Sequence, residues 1–141
     1  MSIWSLKPDL KQLEQLSQGT LMTSLGIEIT EIGDDFVIGT MPVDERTFQP
    51  MRFLHGGASV ALAETLGSFA ALLTSDTSQF HIFGQHINSH HLKSVQGGTV
   101  KGKATPVHLG KSTQLWNIDV FNDADELIHN SRLTVRIVPK K

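Results

Sequence analysis

The stretch Leu54-HGGASVALAETLGSFAALL-Thr74 decides the fold. Wound at 3.6 residues per turn, its apolar residues Val60, Leu62, Ala63, Leu66, Phe69, Ala70, Leu72 and Leu73 fall on every side. That is the pattern of a helix buried all round, expected here over residues 55–74. One charge, Glu64, lies between Gly56 and Ser75. An acid in such a helix is costly unless it is paired or put to use. Glu64 is therefore the first candidate for chemistry. The run is long enough to raise a membrane span, but its three glycines, two serines, threonine and central acid argue against lipid.

Upstream, Leu6, Leu10, Leu13 and Leu16 share one stripe, with Pro8 near the first turn and Gly19 at the end. Leu21, Met22 and Leu25 continue as a second short turn, so residues 1–25 read as a helical segment. Ile27 to Ile32 alternates as a strand, and Phe36 to Val43 as another, with Phe36, Ile38, Thr40 and Pro42 on one face. Asp44–Phe53 is a polar loop leading into the long helix. Downstream, Phe80–Leu92, Thr99–Val107, Ser112–Phe121 and Leu127–Val138 read as strands separated by Gly- and Asp-rich turns. Leu115, Asn117, Asp119 and Phe121 alternate with Trp116, Ile118 and Val120, giving one covered and one partly solvated face.

One helix apolar on all sides needs an antiparallel sheet curled round it. The expected class is α+β, about six strands wrapped around one central helix, in a single domain over 1–141. Such a sheet leaves an edge or face for a second copy, so a homodimer or a larger homo-oligomer is expected. The chain carries a net charge of −2 and a pI near 6.4, with no Lys/Arg cluster, which gives no footprint for nucleic acid. With no cysteine, disulfides, thiolate metal sites and a cysteine nucleophile are excluded. The amino terminus lacks a signal-peptide pattern, so a cytoplasmic protein without membrane attachment is expected.

The start of the long helix carries the chemistry. Its first N–H groups have no partners inside the helix and sit at the positive end of its dipole. Gly56 and Gly57 leave room for an oxyanion to approach those donors. Glu64 lies two turns deeper and Ser68 one turn beyond it; His55 precedes the helix, and Gln49 can swing in from the loop. A carboxylate, polarising donors and polar side chains suit acyl transfer to water. Each feature also has a plain structural reading. A glycine pair can be a tight turn, Glu64 can pair with Arg132 or Arg136, and Ser68 can bond back to a helix carbonyl.

His81, His86, His90 and His91 raise a metal reading. On a strand, however, His86 and His90 stand about 13 Å apart, too far to share one ion. No metal and no cofactor is expected. A GxSxG elbow and a P-loop are absent, since Gly110-Lys111-Ser112 lacks the upstream glycine and leads into a strand.

LHGGASVALAETLGS resembles the central-helix signature of hotdog-fold acyl-CoA thioesterases of the phenylacetate-pathway type. MPVDERTFQP, NSHHL, ATPVHLGKSTQLWNIDVF and SRLTV extend the match over roughly Gly26 to Val138. Together they resemble the 1,4-dihydroxy-2-naphthoyl-CoA hydrolases of menaquinone synthesis and the relatives that proofread aryl carrier proteins in enterobactin synthesis. The resemblance implies a hotdog fold, dimers often paired into tetramers, and an active site at the dimer interface. It makes Glu64 the catalytic nucleophile or base. The Gly56 or Gly57 N–H would polarise the thioester carbonyl, with His55 and Gln49 assisting and Ser68 placing water. His91, His90 and Thr65 would contact the acyl or pantetheine portion, and Leu109, Gly110 and Lys111 the nucleotide end of coenzyme A. The implied substrate is an acyl-CoA, or an acyl or aryl carrier protein, with coenzyme A as part of the substrate. Met51-Arg52, Phe83-Gly84-Gln85-His86 and His90 depart from the family pattern beside the acyl pocket. Two other readings stay open: a dehydratase using His55 and Glu64, and an acyl-CoA-binding module without turnover.

Overall fold

The computed structural model describes all 141 residues. Helices α1 (Leu10–Ser17) and α2 (Leu21–Leu25) precede strands β1 (Glu28–Ile32) and β2 (Val37–Pro42). The long helix α3 (Gly56–Leu73) follows, then β3 (Phe80–His91), β4 (Thr99–Leu109), β5 (Thr113–Phe121) and β6 (Leu127–Pro139). The six strands form one sheet in the order β1-β2-β4-β5-β6-β3, antiparallel at every step. α3 lies on one face of it, which is the hotdog architecture.

Close approach between helix and sheet depends on glycine. A Cβ on Gly39 or Gly102 would come within 2.6 or 2.7 Å of Leu66 side-chain carbons, and one on Gly67 within 2.7 Å of Leu133. Leu66 therefore seats in a hollow made by two bare positions in neighbouring strands. Around it Leu62, Val37, Met41, Val100, Trp116, Ile118 and Val120 are fully buried. On β5 the alternation holds, with Trp116, Ile118 and Val120 buried and Asn117 and Asp119 half-open.

The structure departs from the sequence reading at three places. Residues 1–9 form no helix; they run as an extended strap. Ser5 and Leu6 N–H groups bond to the Leu73 carbonyl, and Trp4 stacks on Trp116 with ring centroids 6.4 Å apart. α1 starts only after Pro8, capped by Asp9, whose carboxylate accepts the Lys11 and Gln12 N–H groups. Of its leucine stripe only Leu13 is buried, while Leu10 and Leu16 face solvent. On β2, Ile38, Thr40 and Pro42 share one face as expected, and the covered side is the other one, Val37, Gly39 and Met41. Finally, α3 is not buried all round. The chain covers the Leu62, Ala63, Leu66, Gly67 and Ala70 side. The opposite stripe of Gly57, Val60, Ala61, Glu64 and Ser68 is exposed or half-exposed. α3 is long and apolar enough to cross a membrane, yet half of it is buried within the fold.

Candidate active site

His55 caps α3. Its Nδ1 accepts the Gly57 N–H at 2.8 Å, so the proton of the neutral ring is on Nε2. A Cβ on Gly57 would lie 3.0 Å from that Nδ1, which accounts for the second glycine. With the Gly57 donor taken, the Gly56 N–H remains without a partner in the chain. It sits at the positive end of an 18-residue helix, where developing negative charge is stabilised.

The loop before α3 is held against the helix start. Phe48 and Leu54 pair across it, the His55 N–H bonds to Thr47, and the Leu54 N–H to Val95. Inside this turn the Gln49 side-chain carbonyl accepts the Met51 N–H, leaving its amide N–H groups free to donate. Gln49, Met51, Gly56, Ser59 and His91 line a cleft of about 520 Å³, closed on one side by Leu92–Val95. His91, from the end of β3, lies over Gly56. A Cβ there would be 2.8 Å from its Nε2.

The site residues named above thus fall into groups. Gln49, Gly56 and His91 line one cleft, with His55 and Gly57 at its helical rim. Glu64 and Ser68 do not join them within one chain. Glu64 is exposed on the open stripe of α3, about 12 Å along the axis from Gly56. Ser68 borders a separate hollow of about 200 Å³ with Phe69, Leu72, Ile82, Gly84 and Val135. Thr65 is half-buried and its hydroxyl donates to the Ala61 carbonyl. His90 is exposed; strand alternation turns it away from the cleft that His91 faces. Leu109 and Lys111 are exposed in the β4–β5 turn, away from the cleft. Arg132 and Arg136 lie on the far side of the sheet from α3, alternating with buried Leu133 and Val135, and Arg132 donates to Asn117. Glu64 is paired with neither. No three His, Asp or Glu side chains converge on a cation-sized point.

Sequence reading passed over Ser59, the 92–95 segment and His129. Only the register of β3 on β6 reveals the last, by setting His129 opposite His91 and Ser131 opposite Ser89. His129 is fully buried. Burial, and then the neighbouring His91 and His90 rings, pushes its pKa down to about 4, so it is neutral at pH 7. An unfolded histidine titrates near pH 6.5. Between these values the unfolded chain binds a proton that the folded chain refuses, so stability is full above pH 6.5 and falls as pH drops toward 4. The expected loss from this group alone is about 2–3 kcal/mol. Denaturant unfolding of wild type and His129→Leu across that range checks it. The variant's curve is expected to be the flatter, since carboxylates common to both cancel.

Residues 51–129 match the thioesterase superfamily. The chain is 44% identical over 136 residues to a proofreading thioesterase of Cronobacter turicensis, covering 96% of this chain and 98% of that one. It is 43% identical to a 1,4-dihydroxy-2-naphthoyl-CoA hydrolase of Escherichia coli, covering 96% and 99%. The solved Q49A variant of a thioesterase from Pseudomonas aeruginosa superposes with a TM-score of 0.97 at 40% identity, over 99% of this chain and all of that one. The chain belongs to the thioesterase superfamily, and is a hotdog-fold thioester hydrolase.

Proposed function

We propose that the chain hydrolyses aromatic acyl thioesters of coenzyme A or of a carrier protein, in a site completed by a second copy. The observation that carries this reading is the free Gly56 N–H at the positive end of α3, opening on the cleft between Gln49 and His91. A thioester carbonyl placed there has its oxygen at donors that strengthen as charge develops. Glu64 supplies the carboxylate, but its own chain's Gly56 is about 12 Å away. Two α3 helices packed antiparallel about Val60, midway between those residues, would set each Glu64 against the partner's Gly56. The open stripe of Gly57, Val60 and Ala61 is small enough for close helix contact. The free edge of β3, unpaired in the sheet order, lets the two sheets join beside it.

As general base, Glu64 takes a proton from water as its oxygen bonds to the carbonyl carbon. Collapse of the oxyanion breaks the C–S bond, and the thiolate leaves with that proton as a thiol. As nucleophile, the same carboxylate would bond to the carbonyl carbon and expel the thiolate, giving a mixed anhydride. Water then opens it, releasing the acid and restoring the carboxylate, and its proton goes to the thiolate. Thioesters are activated acyl donors, so one carboxylate and polarising donors suffice. Ser68, one turn past Glu64, would hold the water. Thr65, beside Glu64 on α3, would contact the acyl or pantetheine arm, and the Leu109-Gly110-Lys111 turn would receive the nucleotide phosphates. His90 faces away from the cleft and takes no part in it. The named activities of the Cronobacter and Escherichia relatives support an aromatic acyl group.

Thiol release from a panel of benzoyl, naphthoyl, short and long aliphatic coenzyme A thioesters tests the reading. Fastest release from aryl thioesters supports it; none from any of them rejects it. Gly56→Ala is expected to slow release ten- to a hundredfold, because the new Cβ displaces His91 and crowds the carbonyl site. Steady-state kinetics beside a thermal melt near that of wild type would show it.

A further inference from the structure

Beneath the cleft lies a polar chain that hydrolysis by Glu64 does not use. His91 Nδ1 is 3.1 Å from His129 Nδ1, His129 Nε2 is 2.6 Å from Ser131 Oγ, and Ser131 Oγ is 2.7 Å from Ser89 Oγ. His129 and Ser131 are fully buried. All four side chains come from facing positions of β3 and β6. Neutral imidazole has one N–H and one lone pair, so each link fixes the direction of the next. Only two arrangements exist for two neutral rings.

In the first, Ser89 donates to Ser131, Ser131 donates to His129 Nε2, and His129 donates from Nδ1 to His91 Nδ1. The His91 proton then sits on Nε2 and points into the cleft. The second reverses every bond. It leaves His91 Nε2 as a bare acceptor and the Ser89 hydroxyl proton with no acceptor in the chain, since Ser131 is its sole partner. A donor left unmade is the costlier state. In the first arrangement the one proton without a partner in the chain is the His91 Nε2–H, on an exposed ring that water in the cleft reaches, whereas the second strands the proton of half-buried Ser89. Burial of His129, with its low proton affinity, keeps that ring neutral.

We propose that His129, through Ser131 and Ser89, is a positioning residue that fixes His91 as its Nε2–H tautomer, a hydrogen-bond donor aimed into the cleft beside the Gly56 N–H. This rests on the proposed function only in taking the cleft to receive an acyl oxygen. The polar side chains in contact with His129 are His91 and Ser131; His90, on the neighbouring position of β3, faces outward.

Nitrogen-15 NMR of the histidine rings in the full-length protein at pH 7.5, without substrate, tests the tautomer directly. The His91 signal, assigned by its loss in His91→Gln, is expected to show a protonated Nε2 and a bare Nδ1. In His129→Leu, and in Ser131→Ala should the leucine variant not fold, His91 is expected to exchange between both tautomers. Thiol release is expected to slow about five- to tenfold, chiefly in kcat. A wild-type His91 protonated on Nδ1, or a tautomer unchanged in both variants, would overturn the proposal. The tautomer is read without turnover, so the two readings part cleanly. The expected tautomer with no thiol release upholds the relay and rejects hydrolysis; thiol release with an unchanged tautomer rejects only the relay.

Discussion

Glu64→Gln is expected to lower kcat for thioester hydrolysis about a thousandfold while leaving the folded protein intact. The two halves of that expectation have separate physical grounds. Glu64 is exposed on α3 and makes no ion pair or side-chain hydrogen bond in the chain, so an isosteric amide costs the single chain about 0.5 kcal/mol or less. Glutamine cannot accept the proton of water or attack a carbonyl carbon. Loss of a positioned base typically removes about 10²–10⁴ in rate, and a thousandfold is about 4 kcal/mol of transition-state stabilisation. The donors at the helix start remain and account for residual turnover. Thiol release and thermal melting, run side by side, check both halves. Wild-type turnover in a folded Glu64→Gln protein would remove Glu64 from the mechanism.

Trp116→Ala is expected to have the largest effect on stability, a loss of about 3–5 kcal/mol. Trp116 is fully buried on β5. Its ring stacks on Trp4 with the planes 7° apart, which binds the amino-terminal strap to the sheet. Its indole N–H donates to Gln114 at 2.9 Å, and the Gln114 amide donates in turn to the Thr74 hydroxyl at the end of α3. Truncation therefore opens a cavity, frees the strap and leaves the buried Gln114 carbonyl without its donor, each of which costs free energy. Against a total of about 5–15 kcal/mol for a domain, such a loss leaves little margin. Denaturant unfolding at fixed protein concentration measures it. Trp116→Phe, which keeps most of the volume, is expected to lose less than half as much.

The elements that position the site were legible because local signals agreed. The Gly-Gly start, the apolar run and Thr74 bound α3 to within a residue, and all four long strands lie where their alternation puts them. The amino-terminal strap was not legible. Leu6 shares the spacing of the α1 leucines, yet its N–H bonds to Leu73, 67 residues on, and tertiary pairing overrides the local pattern. Which face of β2 is covered was not legible either. Gly39 carries no hydrophobic signal, and it faces the core because Leu66 requires a bare position there.

Glu64 illustrates what apolar periodicity leaves out. A helix apolar all round reads as wholly buried by its own chain, but the pattern sums every surface that is to be covered, including one the chain leaves open. The sequence therefore pointed to Glu64 and Gly56 as partners, and although the resemblance implied a site at a dimer interface, the apolar pattern by itself did not reveal which face of α3 the chain leaves open. His129 was silent for another reason. It is one of seven histidines, set against His91 only by the pairing of β3 with β6.

The most direct test of the account is subunit complementation between two inactivated chains. Glu64→Ala retains the Gly56 donor, and Gly56→Ala retains the carboxylate, so each homodimer has two defective sites. Co-expression with separable tags and random pairing gives heterodimers in which one site combines an intact Gly56 with the partner's intact Glu64. Recovery of about a quarter of wild-type thiol release is the expected result, since about half of the dimers are mixed and each carries one whole site. Mixed dimers no more active than either parent would contradict a site shared between two chains.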